Sequence, residues 1–596
     1  MEASSNGLRI TERSNPVTQN IDTSAPQDII NQISQCEQEI FQGWKEYENI
    51  FSERILQSLD QVVDRATEII TNPEKSCIVM SGCGTSGRLA FFVSRDINKF
   101  LQRELGQIPC CDYLIAGGDV ALLKSTEAQE DDPILGSAIL DQLCAGKDKV
   151  LYIGITCGLS AAYIAGQIDY CLHHLDKVFP VLIGFNPLNQ ARDHPIEKWD
   201  QTCASVFSKL NEAQSVGKAA ILNPVIGPEP ITGSSRMKGG TATKVLLDII
   251  FQVSLYRVIS SKTEGAVHNV RGIIKVLLEL YFKVMQSRPR EWQLELADVI
   301  TAAGKSLNND GHIYYLGKDQ LGMLGLIDAS ECPPTFGSDF QDVRGFIQGG
   351  FSVWGNHEGD LGLGSKHDID IQSFKKNILP QLSDRDSIIL ICSSKDQGND
   401  IDSLCEDIQK TSAVMVCVED ERTFQKSAVI DGSNLELYLQ IPWTQFEEPL
   451  GIFPPQLQKQ IRKNLLQICV KRTLNMISTA AHVLKGKVYQ NYMIDLTLSN
   501  NKLFHRGISI MVKLLGVTED LATVAILRAI YSTDHLTEGQ RDGPISQHIA
   551  SASRTPKVLP VTILLLSIEN CTIEEALQTL AKYPAIRTAF HTLSKV

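Results

Sequence analysis

Two glycine turns, Gly82-Cys83-Gly84-Thr85-Ser86-Gly87 and Gly317-Lys318-Asp319-Gln320-Leu321-Gly322, repeat at an offset of 235 residues. A short apolar run precedes each, at 77–80 and 312–316, and a helical pattern follows each, from about Ser86 and through 321–327. Strand, tight turn and helix in that order open a parallel α/β sheet. The alternation continues in both copies. Further strands are predicted at 113–116, 150–155 and 178–185, then around Phe346 and Ile347, at 387–392 and at 413–418. With Gly82 laid on Gly317, Gly87 falls on Gly322 and Asp96 on Glu331. An offset of this length reads as a duplicated domain, not as a short-period solenoid.

The two ends differ from the repeated unit. Residues 1–26 are polar, lack the apolar core of a signal peptide, and are predicted to form a flexible arm. Ile29, Ile30, Ile33, Ile40 and Phe41, then Ile50, Phe51, Ile55 and Leu59, keep helical spacing. From about Gln456 helical runs dominate, at 456–484, 518–531, 561–568 and 572–581. Thr572 with Glu575 spells a capping box, and Pro560 suits a first helical turn. The expected fold class is α/β. It comprises two tandem flavodoxin-like parallel sheets in three-layer αβα domains, followed by an all-helical cap. The expected bounds are an arm and start of the first helix at 1–43, a ligand-binding domain at 44–275, a second domain at 276–488 and the cap at 489–596.

Composition narrows the function. With 43% hydrophobic and 21% charged residues the chain has ample material for several cores and is not a disordered polymer. A net charge of −13 disfavours nucleic acid as a partner. The fifteen cysteines are an odd number with no CxxC pair and no zinc spacing, which reads as free thiols in a reducing compartment. The twelve histidines show no metal spacing either, and His173-His174 read as a helix surface. No run reaches the ~18 apolar residues of a membrane span. The expectation is a cytosolic or nuclear protein without a metal or a membrane.

Three segments offer chemistry. The first glycine turn matches G-x-G-x-x-G, but the acid a dinucleotide site needs about 20 residues later is missing, and no Gly-Lys-Ser/Thr follows for a nucleotide phosphate loop. It supplies the hydroxyls Thr85 and Ser86 beside Gly84 at a helix start, a place where N–H groups and the helix dipole hold an anion. Thr156-Cys157-Gly158-Leu159-Ser160 repeats that design before a helix expected from about Leu159. Gly233-Ser234-Ser235-Arg236-Met237-Lys238-Gly239-Gly240-Thr241 adds two cations before a long apolar helix. Each loop alone also reads as a capped turn. Together, at the carboxyl ends of parallel strands, they point to a phosphorylated small molecule. Glu127, Glu130, Asp131 and Asp132 read either as a solvated helix start or as acceptors for sugar hydroxyls and a general acid or base. Trp443, Phe446, Leu450, Ile452 and Phe453 form a proline-punctuated aromatic loop that is either a partner-binding anchor or buried between domains.

Gly84-Thr85-Ser86-Gly87-Arg88-Leu89, Asn186-Pro187, Asn223-Pro224-Val225-Ile226-Gly227-Pro228-Glu229 and residues 233–240 resemble the sugar isomerase-domain family. That family unites bacterial N-acetylmuramate 6-phosphate etherases with the glucokinase regulatory proteins. Two such domains plus a helical cap resemble the regulatory branch over nearly the whole chain. The resemblance implies a non-catalytic inhibitor that binds glucokinase as a 1:1 heterodimer, competitively with glucose. Fructose 6-phosphate promotes the inhibitory form and fructose 1-phosphate relieves it, in nucleus and cytoplasm and with no cofactor. It implies a sugar-phosphate site of Gly84, Thr85, Ser86, Glu127, Glu130, Thr156, Cys157, Gly158, Ser160, Ser234, Ser235 and Glu331. Lys502, in Ser499-Asn500-Asn501-Lys502-Leu503, matches a lysine of the cap that reaches the ligand phosphate. The second copy replaces the hydroxyl turn with Lys318-Asp319-Gln320 and carries Ser393-Ser394-Lys395-Asp396 in its later loop, which implies that it lost its own phosphate site. Yet Asp328-Ala329-Ser330-Glu331-Cys332-Pro333-Pro334-Thr335-Phe336-Gly337 resembles the etherase segment with a catalytic acid. The alternative is therefore an etherase using Glu130 and Glu331. A sugar-phosphate isomerase is a third and weaker reading, against which the Asn-Pro-x-x-Gly-Pro-Glu segment argues.

Overall fold

A computed structural model describes residues 9–124, 127–261, 269–287, 289–391, 404, 407–408, 414–419, 435–438, 443–583 and 585–593. The first half opens with α1 (Pro26–Gln42) and α2 (Glu53–Thr71). The apolar stripe of α2, Ile55, Leu59, Val62, Val63, Ala66 and Ile70, turns wholly inward. Strands β1 (Ser76–Gly82), β2 (Cys111–Ile115), β3 (Lys149–Ile155), β4 (Val178–Ile183) and β5 (Ala220–Leu222) pair in the order β2-β1-β3-β4-β5, all parallel. Helices α3 (Thr85–Leu105), α4 (Pro133–Cys144), α5 (Ala162–Leu172), α6 (Cys203–Ser215) and α7 (Lys238–Ser260) accompany the sheet. Helices α8 (Val270–Gln286) and α9 (Arg290–Asn308) lead into the second half.

There β6 (Ile313–Gly317), β7 (Val343–Ile347), β8 (Ser387–Ile391), β9 (Val414–Glu419) and β10 (Leu435–Tyr438) form a second parallel sheet, ordered β10-β9-β8-β6-β7. Counted from each half's own first strand, the two orders are the same. The glycine turns superpose for a steric reason. A Cβ on Gly82 would stand 2.5 Å from the Gly87 nitrogen, and one on Gly317 would stand 2.6 Å from the Gly322 Cα. Strand end and helix start touch too closely for any side chain. The helix after the second turn, α10 (Asp319–Phe336), runs well past the predicted 321–327 and carries Glu331. The 30-residue α11 (Pro455–Leu484) packs against α7, α9 and α10, so it joins the two halves rather than opening the cap.

The cap begins with a two-residue hairpin, β11 (Val488–Tyr489) with β12 (Tyr492–Met493), and continues through α12 (Asn501–Leu515), α13 (Glu519–Tyr531) and α14 (Val558–Ser567). It is therefore not purely helical. Thr232 of the first half pairs in register with Tyr492, which explains the extra strand. The Thr572–Glu575 capping box is present, with hydrogen bonds in both directions.

Two further expectations are corrected. Residues 9–24 are not a loose arm. They form three short 3-10 turns with Ile10, Asn15, Thr18 and Ile21 fully buried. Their polar side chains find fixed partners: Asn15 Nδ2 donates to the Pro228 carbonyl at 3.0 Å, and Thr18 Oγ1 to that of Pro230 at 2.7 Å. The helix after β3 starts at Ala162 and not at Leu159, which stands at φ +53° inside the loop. Strands β5 and β10, of three and four residues, are too short to stand out from the helices around them. The Ser393–Asp396 loop lies outside the described residues. Among the described residues no helix is long and apolar enough to cross a membrane.

Candidate functional site

In the order β2-β1-β3, the chain leaves β1 and β3 in opposite directions, so a crevice opens between their carboxyl ends. Gly82 pairs with Ile155, which sets both following loops at the same height. A cavity of about 960 Å³, including its open mouth, lies there.

The first loop turns at Gly84, φ +49°, and launches α3 at Thr85. In the second loop Thr156 Oγ1 accepts the N–H groups of Ser160 and Ala161 at 3.2 and 3.3 Å, while Asn186 Nδ2 donates to the Gly158 carbonyl at 3.2 Å. Ser86 Oγ and Cys157 Sγ stand 3.7 Å apart, and burial pushes the Cys157 thiol up to about 11, so it stays protonated. The third loop turns at Gly233, φ +76°, and brings Ser234, Ser235 and Arg236 to the same wall. Among the described residues, Ser234 Oγ and Arg88 Nη2 are buried without a hydrogen-bond partner. Such groups are rare unless a ligand or water satisfies them.

Gly84, Thr85, Ser86, Glu130, Thr156, Cys157, Gly158, Ser160, Ser234, Ser235 and Glu331 all line this one cavity. Glu331 reaches it from the second half. Its carboxylate accepts from Thr85 Oγ1 and, at 2.7 Å, from Arg88 Nη1, with both members of the ion pair buried. The equivalent Asp96 crosses the other way. It accepts from Gln320 at 2.6 Å, and from Lys463 at 2.5 Å, Gln460 at 2.9 Å and Gln467 at 3.2 Å on α11. The duplication thus exchanges one acid in each direction. In the second half, three side chains of α11 bond the acid that the first half supplies.

Glu127 lies in the 3-10 turn Glu127–Asp131 and Lys502 in the first turn of α12, but the side chains of both lie outside the described residues. Four charged groups were missed. Glu12 of the arm and Arg506 of the cap line the mouth and pair with each other, Arg506 Nε to Glu12 Oε2 at 2.9 Å. Nothing near either residue in the sequence marks them. Arg88 and Glu229 lie inside the Gly84–Leu89 and Asn223–Glu229 motifs, next to the glycines and hydroxyls that mark an anion site.

Glu229 accepts the Lys238 and Gly239 N–H groups at the start of α7, both at 2.8 Å. Burial, opposed by Lys238 and those N–H groups, raises its carboxyl to about 7. A raised carboxyl gives stability that is complete below the unfolded value and is lost as pH climbs through about 7. Glu229→Gln is therefore expected to be more stable relative to wild type at pH 8 than at pH 5, by about 3 kcal/mol. Urea midpoints at the two pH values measure this, and identical pH dependence in both proteins would exclude a neutral Glu229 at pH 5.

Three residues of the aromatic loop are turned inward. Phe446, Leu450 and Phe453 are buried, and Phe453 meets Tyr256 edge-on at 5.7 Å. Packing against the core satisfies these side chains, which corrects the partner-binding expectation for these three and matches the alternative of burial. Ile452 remains exposed, and the Trp443 side chain lies outside the described residues. Among the described residues no cluster of His, Cys, Asp or Glu is arranged to hold a metal.

Residues 61–172 match the family model described as the glucokinase regulatory protein N-terminal SIS domain. Residues 293–485 match that of the second SIS domain, and residues 490–590 that of the C-terminal lid domain. The chain is 36% identical to the glucokinase regulatory protein of Xenopus laevis, covering 99% of this chain and 94% of that one. Against that of Homo sapiens it is 35% identical, covering 97% and 91%. It is also 30% identical to the N-acetylmuramic acid 6-phosphate etherase of Salinibacter ruber, over 44% of this chain and 77% of the etherase. With two SIS domains and a lid matched in order, the chain belongs to the glucokinase regulatory protein family.

Proposed function

We propose that this chain is a non-catalytic regulator that binds glucokinase 1:1 and inhibits it competitively with glucose. Fructose 6-phosphate promotes the inhibitory form, fructose 1-phosphate relieves it, and the protein works in nucleus and cytoplasm without a cofactor. The observation that carries the reading is the composition of the cavity wall. The first half gives hydroxyl loops and Glu130, the second gives Glu331, the arm gives Glu12 and the cap gives Arg506. A phosphate seats on Ser86, Ser234, Ser235 and the N-terminus of α3, and the acids take sugar hydroxyls. Glu127 and Lys502 join from the neighbouring turn and from the cap. A ligand touching four parts of the chain has different affinity for different arrangements of them, which is what a ligand-set switch requires.

The test is glucokinase inhibition at varied glucose, with and without each fructose phosphate. Ser86→Ala and Ser235→Ala are expected to shift both sugar-phosphate responses to higher concentration by about 1–3 kcal/mol of binding, the loss of one hydrogen bond to a charged group. Calorimetry that finds unchanged affinity removes those residues from the site. A second reading, an etherase, is favoured by one observation: Glu331 enters the same cavity as Glu130. Against it, the etherase match covers 44% of this chain, whereas the regulatory relatives match it nearly end to end. Lactate release from N-acetylmuramic acid 6-phosphate at an ordinary enzymatic rate would decide for it.

A further inference from the structure

We propose that Lys471, on the long helix α11, is the charge through which the second half senses a phosphate bound in the first. The inference rests on the sugar-phosphate reading of the cavity. Lys471 is buried, and its ammonium donates to three uncharged acceptors: the Arg236 carbonyl at 2.9 Å, Asn475 Oδ1 at 2.8 Å and Thr241 Oγ1 at 3.3 Å. A Cβ on Gly240 would stand 3.3 Å from Lys471 Nζ, 3.3 Å from Thr85 Cγ2 and 3.4 Å from the Ser235 carbonyl. The ammonium and the Thr85 and Ser235 groups that line the cavity therefore lie around the same glycine.

The acids that act on Lys471 are held by other groups, Glu229 among them by the Lys238 and Gly239 N–H groups. Glu37 pairs with Arg472 at 2.5 Å, Asp328 with Arg236 at 3.2 Å and Glu331 with Arg88 at 2.7 Å. Arg236 itself adds repulsion. Lys471 is thus a buried cation whose hydrogen-bond partners among the described residues are all uncharged, in a low-dielectric layer. Burial, set against the attraction of Glu37, lowers its ammonium to about 8. A phosphate dianion on the loops in front of it holds the proton in place. Because the charge hangs on α11, which packs on α7, α9 and α10, that attraction draws the second half against the occupied site. A neutral sugar exerts no such pull.

The test is titration calorimetry on the full chain with fructose 1-phosphate and fructose 6-phosphate at pH 8, in two buffers of different ionisation enthalpy. Wild type is expected to take up about half a proton per ligand through this lysine, the fraction deprotonated at a pH equal to its pKa. Lys471→Arg keeps the charge at all pH values, so it is expected to keep the affinity and lose that uptake. Lys471→Met is expected to bind either phosphate roughly tenfold more weakly. The difference between wild type and Lys471→Arg separates this lysine from Glu229 and from Lys513, whose burial also lowers it to about 8. Equal proton uptake in those two proteins, or unchanged affinity in a folded Lys471→Met, overturns the inference. A wild type that binds neither phosphate overturns the sugar-phosphate reading itself, and this inference with it.

Discussion

Arg236→Ala is expected to lower the stability of the chain by about 3–5 kcal/mol, the cost of breaking a buried ion pair from one side. Arg236 belongs to the third loop of the first half, yet every partner of its guanidinium is in the second. Nη1 meets Asp328 Oδ1 at 3.2 Å, and Nη2 donates to Ser478 Oγ at 3.0 Å and Thr479 Oγ1 at 2.6 Å. The plane lies over the Phe336 ring, 5.2 Å from its centre. Without it, Asp328 keeps Tyr315 OH at 2.9 Å and Asn475 at 2.6 Å but has lost its countercharge in a dry interface. Arg236→Lys is expected to recover little, because an ammonium cannot reach an acid and two hydroxyls in the guanidinium's fork. The urea midpoint measures the loss. Sugar-phosphate affinity is expected to fall with it, since the same loop carries Ser234 and Ser235. A shift below about 1 kcal/mol, within the range of an exposed pair, would show that this contact does not hold the halves together.

What was legible in the sequence follows from the range over which each signal acts. The strand before Gly82, the helix after it and the duplication at Gly317 are written in local periodicity and in glycines with no room for a Cβ. Hydroxyls at strand-to-helix turns were legible for the same reason, since the turn and its chemistry are contiguous. The charges that complete the cavity were not. Glu12 and Arg506 meet across nearly 500 positions, and nothing near either residue marks it as more than a solvated charge. The arm read as flexible because its residues are polar, but Asn15, Thr18 and Asn491 are polar residues whose hydrogen bonds close on one another in the interior. Burial of the aromatic loop was likewise undecidable locally, because an exposed anchor and a packed plug use the same residue types. The helical texture from Gln456 was read correctly as helix, while its tertiary place, against both halves, depends on partners far away in the chain.

Arg88→Met tests whether the two halves share one site. Arg88 lies in α3, almost wholly buried, with Nη1 on Glu331 at 2.7 Å, Nε on the Leu122 carbonyl at 3.2 Å and Nη2 without a partner among the described residues. A Cβ on Gly84 would stand 3.6 Å from Glu130 Oε1 and 4.0 Å from Arg88 Nη1, so Glu130 and the Arg88–Glu331 pair flank the same glycine of the pocket. Removing it leaves Glu331 buried without its cation and adds uncompensated negative charge where a phosphorylated sugar binds. The expected result is a loss of about 3–5 kcal/mol in stability and at least a hundredfold weaker binding of either fructose phosphate, equivalent to about 3 kcal/mol. The double variant Arg88→Met/Glu331→Met separates the two effects. With both charges gone no buried ion is stranded, so folding stability is expected to return close to wild type while sugar-phosphate binding stays lost. If the double variant is as unstable as the single one, the damage lies in packing around Arg88. If it binds sugar phosphate normally, Glu331 is not part of the ligand site, and the contribution of the second half must come through α11 alone.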